Sequence, residues 1–435
     1  MTTHRRSIAF AVEPAFGALG AGSPVPDPTA LTYQAILCDR ASITPTGEPK
    51  VATREVARTG PYARPAKPVT LYDGDGHPIP RASGQVQITL RALLLGLATG
   101  EITDYDNHPI AVFLGSTLCD AGNPASASVT VTGAGGVNTF VVATGGMTRG
   151  ELFRTIINGL AEYSAVTKIV ADTSDTVSHS PACSRALTTS DVLRKLRTFY
   201  VANGAQSPGN SLSFQLDGHG WRERAFGCRW SELSITMDGD EAVFAFTFEA
   251  PYIRHYNDEA EVIAGTNVLA EVVPDGPATS LLGGHQVLSS TDAGAVTAGA
   301  TLGRLAVDVE AFSLSIKATL SPKGVSTSIL GMSDQVVADI TAELSLTLSE
   351  VVDALKDDLW REISRSALVG FGGRTNGTGM VVYFPCAVVK TDPNVRNTDG
   401  DIIKQVLTYE IGLWKGDENA GAGLAGSLFR IGLVL

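Results

Sequence analysis

Leu346-Thr347-Leu348-Ser349-Glu350-Val351 heads a stretch, running to Ile411, most of which occurs twice in the chain. Its upstream match is Leu187-Thr188-Thr189-Ser190-Asp191-Val192. In both copies a Ser precedes an acidic residue, the pattern of a side-chain N-cap with a carboxylate at the positive end of a helix dipole. Val352, Leu355, Leu359 and Ile363 follow at helical spacing, and Leu193, Leu196 and Tyr200 stand at the same offset, so the spacing predicts an amphipathic helix in each copy. Farther on, Phe384-Pro385-Cys386 answers Phe226-Gly227-Cys228, and Thr408-Tyr409-Glu410 answers Thr247-Phe248-Glu249. Between them Asp399-Gly400-Asp401 answers Asp238-Gly239-Asp240, a hairpin signal between apolar runs.

Upstream of each helix, residues 309–320 and 335–348 alternate apolar with polar as half-buried strands do, and 33–44 and 85–95 fill the same places in the first copy. Each unit reads strand, long loop, strand, helix, strand, turn, strand. One supersecondary unit is used twice. The expected fold is mainly β with flanking helices (α+β): two tandem β-sandwich or barrel domains with a small α+β insertion in the first.

In chain order this predicts an N-terminal arm over 1–30, extended by Ser23-Pro24-Val25-Pro26-Asp27-Pro28. A first repeat domain is split over 31–98 and 186–258, and its 45–79 loop is too long for an ordinary hairpin connection. The insertion, 99–185, reads as a hairpin of 128–132 with 139–142 around Gly133–Gly136, then a helix capped by Thr148 and carrying Leu152, Ile156, Leu160 and Tyr163, then a strand at 168–171. A linker over 259–303, partly ordered as an edge strand, leads to the second repeat domain, 304–415. The C-terminal tail, 416–435, ends in an apolar run that must dock on its own domain or on a neighbour to stay out of water.

With 435 residues, 44% of them hydrophobic and 18% charged, the chain has ample material for a folded core, and a disordered composition is excluded. A formal net charge of −12 with no Lys/Arg cluster excludes ordinary attraction to nucleic-acid phosphates, but suits a surface that must not stick to them. The five cysteines (Cys38, Cys119, Cys183, Cys228, Cys386) form no CxxC pair and are expected to be free thiols. Neither a signal peptide nor a membrane-spanning run is evident, so folding in the cytoplasm is expected.

Motifs for chemistry are sparse. His4, His77, His108, His179, His219, His255 and His285 are scattered without HExxH spacing and read as solvated loop histidines. Asp73-Gly74-Asp75-Gly76-His77 lacks EF-hand ligand spacing, and Gly133-Ala134-Gly135-Gly136 lacks the Lys-Ser/Thr of a phosphate loop. Gly370-Phe371-Gly372-Gly373-Arg374 reads as a helix C-cap with a loop, and Asp357-Asp358 as a solvated helix face. The pair Glu259 and Glu261 has no defined separation in space. There is no GxSxG. No catalytic, cofactor-binding or metal-binding residue is expected, and no enzymatic activity.

The second copy resembles the major tail tube proteins of long-tailed bacteriophages (siphoviruses). The resemblance is carried by Met380-Val381-Val382-Tyr383-Phe384-Pro385-Cys386-Ala387, the Asp399-Gly400-Asp401 turn and the 405–411 strand, preceded by the capped helix. It extends less fully to the first copy and not to the insertion. Two fused units are similar to the tube proteins of T5-like phages. The resemblance implies β-sandwich tube domains with a flanking helix, three chains per ring in pseudo-sixfold symmetry, and rings stacked into a conduit for DNA ejection. It also implies tape-measure, tail terminator and distal tail proteins as partners, phage DNA passing without specific binding, and a virion location after assembly in the host cytoplasm. The long loops and apolar tail would then grip neighbours, and an outward-facing insertion would decorate the tube or touch the host surface. The alternative is a tandem β-domain adhesin or tail-decoration protein that binds a host surface. One departure is local: ten residues separate Cys228 from Asp238 in the first copy, thirteen separate Cys386 from Asp399 in the second.

Overall fold

The computed structural model describes residues 7–18, 31–36, 40–45, 50–51, 68–69, 81–89, 128–170, 173–200, 211–218, 221–238, 241–256, 285–289, 303–324, 332–372, 379–393, 396–399, 402–412 and 427–434. The first copy opens with β1 (Ser7–Val12), β2 (Gln34–Ile36), β3 (Arg40–Pro45), the small pair β4 (Lys50–Val51) and β5 (Pro68–Val69), and β6 (Ala82–Thr89). The insertion contributes β7 (Ser128–Thr130), β8 (Thr139–Val142), β9 (Leu152–Ile157), β10 (Leu160–Val170) and β11 (Asp175–Ser180), and β12 (Val192–Lys195), past the expected boundary at residue 185, joins their sheet. The first copy resumes with β13 (Arg197–Tyr200), β14 (Leu212–Gly218), β15 (Trp221–Asp238), β16 (Glu241–Ala250) and β17 (Tyr252–Tyr256). Then come β18 (Gln286–Leu288), β19 (Leu305–Ala306), β20 (Val309–Gly324), β21 (Met332–Leu348), β22 (Ser364–Gly372), β23 (Gly379–Val389), β24 (Arg396–Asp399), β25 (Ile402–Ile411) and β26 (Arg430–Val434).

Strand pairing repeats between the halves. In the first, β3 pairs β6, β6 pairs β16 and β16 pairs the second half of β15; in the second, β20 pairs β21, β21 pairs β25 and β25 pairs β24. Each half also carries a smaller outer sheet, β2–β1–β14–β15–β17 in one and β19–β18–β22–β23–β26 in the other, with β13 added beyond β26. The strand that bends from one sheet into the other carries a bulge in both halves: β14 shifts register on β15 between Leu212 and Phe214, and β22 on β23 between Arg365 and Ala367. In the first half Gly227, with φ +70°, supplies the left-handed residue there. The longer Cys386–Asp399 span is also explained. β15 runs unbroken, whereas β23 ends at Val389 and β24 begins at Arg396.

The halves join where β15 pairs β20, giving one antiparallel sheet in the order β3–β6–β16–β15–β20–β21–β25–β24. Its alternation is regular. Phe244, Phe246 and Phe248 turn to the core while Val243, Thr247 and Glu249 do not, and Leu314, Ile316, Leu344 and Leu346 continue the buried face. One hydrophobic core lies between this sheet and both outer sheets and takes in residues from Ile8 to Leu433, so the copies do not have a core each. Phe214 stacks on Phe248 with centroids 4.5 Å apart, and Phe312 meets Phe371 edge-on at 5.1 Å, each bridging the layers of one half.

Several expectations are overturned. Among the described residues there is no α-helix, and the flanking helices are absent. After β21, Ser349 directs its amide and hydroxyl to the Asp308 carbonyl instead of capping. Val352 is extended, and the chain makes a run of tight turns with a single 3-10 turn at Asp353–Leu355. In the first copy the Asp191 carboxylate takes the Thr188 amide at 2.6 Å and closes a turn, after which the chain forms β12 and β13. Among its described residues the insertion forms strands and turns without a helix, and with β12 they make a six-stranded sheet in the order β7–β12–β9–β10–β11–β8 with its own core around Phe140, Phe153 and Val177. The helix expected after Thr148 is the β9–β10 hairpin, because Asn158 (φ 53°) and Gly159 (φ 78°) form a two-residue turn of the type that matches strand twist. Residues 168–170 are the end of β10; β7 and β8 pair with β12 and β11, and the expected hairpin is reduced to an antiparallel bridge between Gly133 and Val141, with the Thr132 amide donating to the Val141 carbonyl at 2.8 Å.

The termini differ too. In the N-terminal arm, β1 is a full sheet member between β2 and β14, while Ser23–Pro28 lies outside the described residues. The apolar tail docks on its own chain as β26, between β23 and β13, with Phe429, Ile431 and Leu433 buried. Between the two strands expected over 309–320 and 335–348, β20 and β21 continue as a pair out to Gly324 and Met332.

Candidate assembly surface

The joined sheet has two open ends. Among the described residues β3 pairs only with β6, and β24 only with β25. An unpaired edge presents a row of backbone donors and acceptors that template another strand. The chain already contains the filled version of this contact, the β15–β20 seam, where Thr236, Ser234 and Glu232 stand opposite Ser313, Ser315 and Lys317. Ser315 Oγ donates to Glu232 at 3.0 Å, and Lys317 Nζ lies 4.0 Å from the same carboxylate.

The face of the sheet turned away from the core is mostly polar, with Val243, Ala311 and Val406 among its apolar members. Ser42, Gln85 and Thr247 form one cross-strand row and Ser313, Ser345 and Thr408 another, with Ser234 opposite Ser315 between them, so the face carries many small hydroxyls and amides. Glu232, Glu249, Glu343 and Glu410 add carboxylates. The lysines are held by acids: Lys390 meets Glu343 and Lys404 meets Glu310, each at 2.7 Å, and Lys317 lies by Glu232. Glu343 raises the pKa of the Lys390 ammonium through that hydrogen bond. Among the described side chains each of these lysines has a carboxylate within 4.0 Å, which weakens its pull on phosphates.

The insertion packs against the second half. Leu152, Ala161, Tyr163, Ala165 and Leu196 share a small core with Leu368, Val381 and Tyr383 on the outer face of β22 and β23. Arg304 Nη1 reaches Glu162 at 2.8 Å, and the Ser180 and Ser366 hydroxyls meet at 2.8 Å. Burial pushes the Glu162 pKa up, but two bonds from Ser184 and the Arg304 charge outweigh it and leave it lowered.

The residues singled out from sequence are dispersed. Asp358 is not on a solvated face: it is buried and ion-paired with Arg365, whose Nη2 donates to Oδ1 at 2.7 Å. His179 and His285 are buried, not solvated, and the side chains of the other five lie outside the described residues. Cys183, Cys228 and Cys386 are buried and in no disulfide, and burial pushes the Cys183 thiol up to about 12 and Cys228 well above its usual value. Gly370–Gly372 ends strand β22 and is not a helix cap, since no helix precedes it. Gly133–Gly136 is a turn leading into β8, where the Gly136 amide donates to Thr139 Oγ1 at 2.7 Å. Asp73–His77, Glu259 and Glu261 lie outside the described residues. Among the described residues no cluster of His, Cys, Asp or Glu is placed to hold a metal.

Two buried groups missed in the sequence titrate in opposite senses. His179 sits between Phe140 and Phe153, with Nδ1 3.2 Å from the Pro181 carbonyl, and burial lowers its pKa from 6.5 to about 4. Its contribution is therefore present above pH 6.5 and is lost as pH falls through about 4, because the unfolded chain binds the proton first. Glu13 accepts from Gly17 N at 2.8 Å, Gly227 N at 2.9 Å and the Ser211 hydroxyl, yet burial raises its pKa from 4.5 to about 7. Its contribution is full below pH 4.5 and is lost as pH rises through about 7. Each effect is worth up to about 3 kcal/mol. Thermal unfolding followed from pH 7 to pH 4 should show the H179Q variant losing less stability on acidification than the parent, and E13Q gaining less. An unchanged pH slope in either variant would remove that group from the account.

No protein-family model matches the chain, and no curated protein is similar enough in sequence to count as a relative.

Proposed function

We propose that the chain is a structural tail-tube protein of a long-tailed bacteriophage, its two copies serving as tandem tube domains in trimeric, pseudo-sixfold rings that stack into a conduit for DNA. The observation that carries this reading is the filled β15–β20 seam beside two edges that have no partner among the described residues: the first half ends in a strand that the second half completes, and the second half ends in the equivalent strand, paired there on one side only. A head-to-tail contact of this kind closes into a ring when the rotation permits. Eight strands at about 4.8 Å spacing give roughly 38 Å of wall per chain, so three chains enclose a barrel on the order of 37 Å across before strand tilt is added. Closing the barrel removes both edges.

The hydroxyl-rich face with its acidic balance suits the inner wall, since a like-signed lining lets DNA slide without specific binding. On this reading the partners are copies of the chain, a tape-measure protein inside during assembly, and terminator and distal tail proteins at the ends, in a virion tail assembled in the host cytoplasm. An adhesin whose insertion projects freely is less well supported, because the insertion is fastened to β22 and β23. Negative-stain microscopy of the purified chain is expected to show hollow rings or tubes. A population of single elongated particles at every concentration tested would overturn the proposal.

A further inference from the structure

Taking the ring as given, the internal seam specifies how one chain meets the next. Thr247 and Thr408 occupy the same place in the two halves, each inside its matched Thr-aromatic-Glu. Gln85 stands opposite Thr247 and Ser42 opposite Gln85; Ser345 stands opposite Thr408 and Ser313 opposite Ser345. Ser42 therefore holds the position of Ser313. On the other side, Thr236 stands opposite Val243 and Asn397 opposite Lys404, and Val243 and Lys404 precede the matched threonines by the same interval. Asn397 holds the position of Thr236. Since Thr236 faces Ser313 within the chain, we infer that β24 of one chain pairs antiparallel with β3 of the next, with Asn397 opposite Ser42 and Asp399 opposite Arg40.

The charges at these positions suit this register. Carried two residues past Thr236 and Ser313, the internal register would set Asp238 against Ala311, whereas between chains it sets an acid, Asp399, against a base, Arg40, a pairing that favours one alignment over its slipped neighbours. A slip of two residues would keep the same faces together but set Asp399 against Ser42, with no base opposite the acid. The partner that completes the site is thus a second copy of this chain, and the contact is directional, each chain giving one edge and receiving the other.

Cysteine crosslinking of assembled full-length chain tests the register. Under mild oxidation the double variant S42C/N397C is expected to give covalent dimers and trimers on a non-reducing gel. The single variants S42C and N397C, which control for the native thiols, should stay monomeric, as should the slipped pair T44C/N397C. Rings that crosslink through the slipped pair, or through neither, would overturn the register while leaving the tube reading intact, whereas absence of rings from the unmodified chain would remove both. A charge swap covers the case in which a cysteine variant misfolds: R40D should lose most of the ring population, and R40D/D399R should regain it. Failure of the second change to restore rings, with both variants folded by circular dichroism, would count against the pairing.

Discussion

Replacing Asp358 by Ala is expected to cost about 3–5 kcal/mol of unfolding free energy, because it strands a buried guanidinium. Asp358 and Arg365 are only 1% and 3% exposed. Arg365 donates to both carboxylate oxygens, to the Ser289 carbonyl at 2.5 Å and to the Ala354 carbonyl at 2.9 Å. One side chain thereby ties the 349–363 crossover to β22 and to the residue that follows β18. Without the carboxylate, two carbonyl dipoles are left to hold a full charge away from water. Removing both ions by an apolar pair, D358L/R365M, should recover most of the loss, since the desolvation cost disappears along with the attraction. Urea unfolding of the three proteins checks the expectation; a single variant within about 1 kcal/mol of the parent would mean that water reaches Arg365.

The same pair shows why sequence reasoning misplaced the crossover. Val352, Leu355, Leu359 and Ile363 have helical spacing, but spacing does not register a long-range demand on Asp358 from a residue beyond the segment. Ser190 and Ser349 have the sequence of caps, but the Asp191 carboxylate uses its acceptor capacity to close a turn onto the Thr188 amide, and Ser349 commits its amide and hydroxyl as donors to the Asp308 carbonyl. In the insertion, Leu152, Ile156, Leu160 and Tyr163 also fit a helix, yet Asn158-Gly159 between them is a strong hairpin signal that outranks periodicity in so short a stretch. β9 is buried on both faces along most of its length, so its sequence shows no alternation to read.

Where a strand is half-buried the sequence was legible. β20 and β21 alternate cleanly, and the Asp-Gly turns sit where β15 meets β16 and β24 meets β25, with Asp238 opposite Glu241 and Asp399 opposite Ile402. The repeated order of strands could be followed on these signals. The seam between the halves could not, because nothing local in β15 or β20 names its partner across the chain. The same holds for Glu13, whose three donors come from a turn, a bulge and the start of β14.

Excising Asp104–Pro181 should leave a chain that fails to stay soluble and folded, contrary to the role of a dispensable decoration. The cut removes β7 to β11 and uncovers Leu368, Val381 and Tyr383, which are 1%, 0% and 2% exposed in the intact protein. Re-exposing three such side chains costs on the order of 5–8 kcal/mol as an upper figure, comparable with the whole stability of an ordinary domain. It also strips both neighbours from β12, whose partners are β7 and β9, and weakens the approach to β13 on β26. Loss of the monomer peak in size-exclusion chromatography, with aggregation, is the expected result, and L368T/V381T/Y383T in the shortened chain should recover part of the soluble fraction by making the bared face polar. If the shortened chain without those changes instead eluted as a folded monomer and still formed rings, the insertion would be an accessory resting on a self-sufficient body, and the contacts of Leu152 and Tyr163 with the second half would contribute little to it.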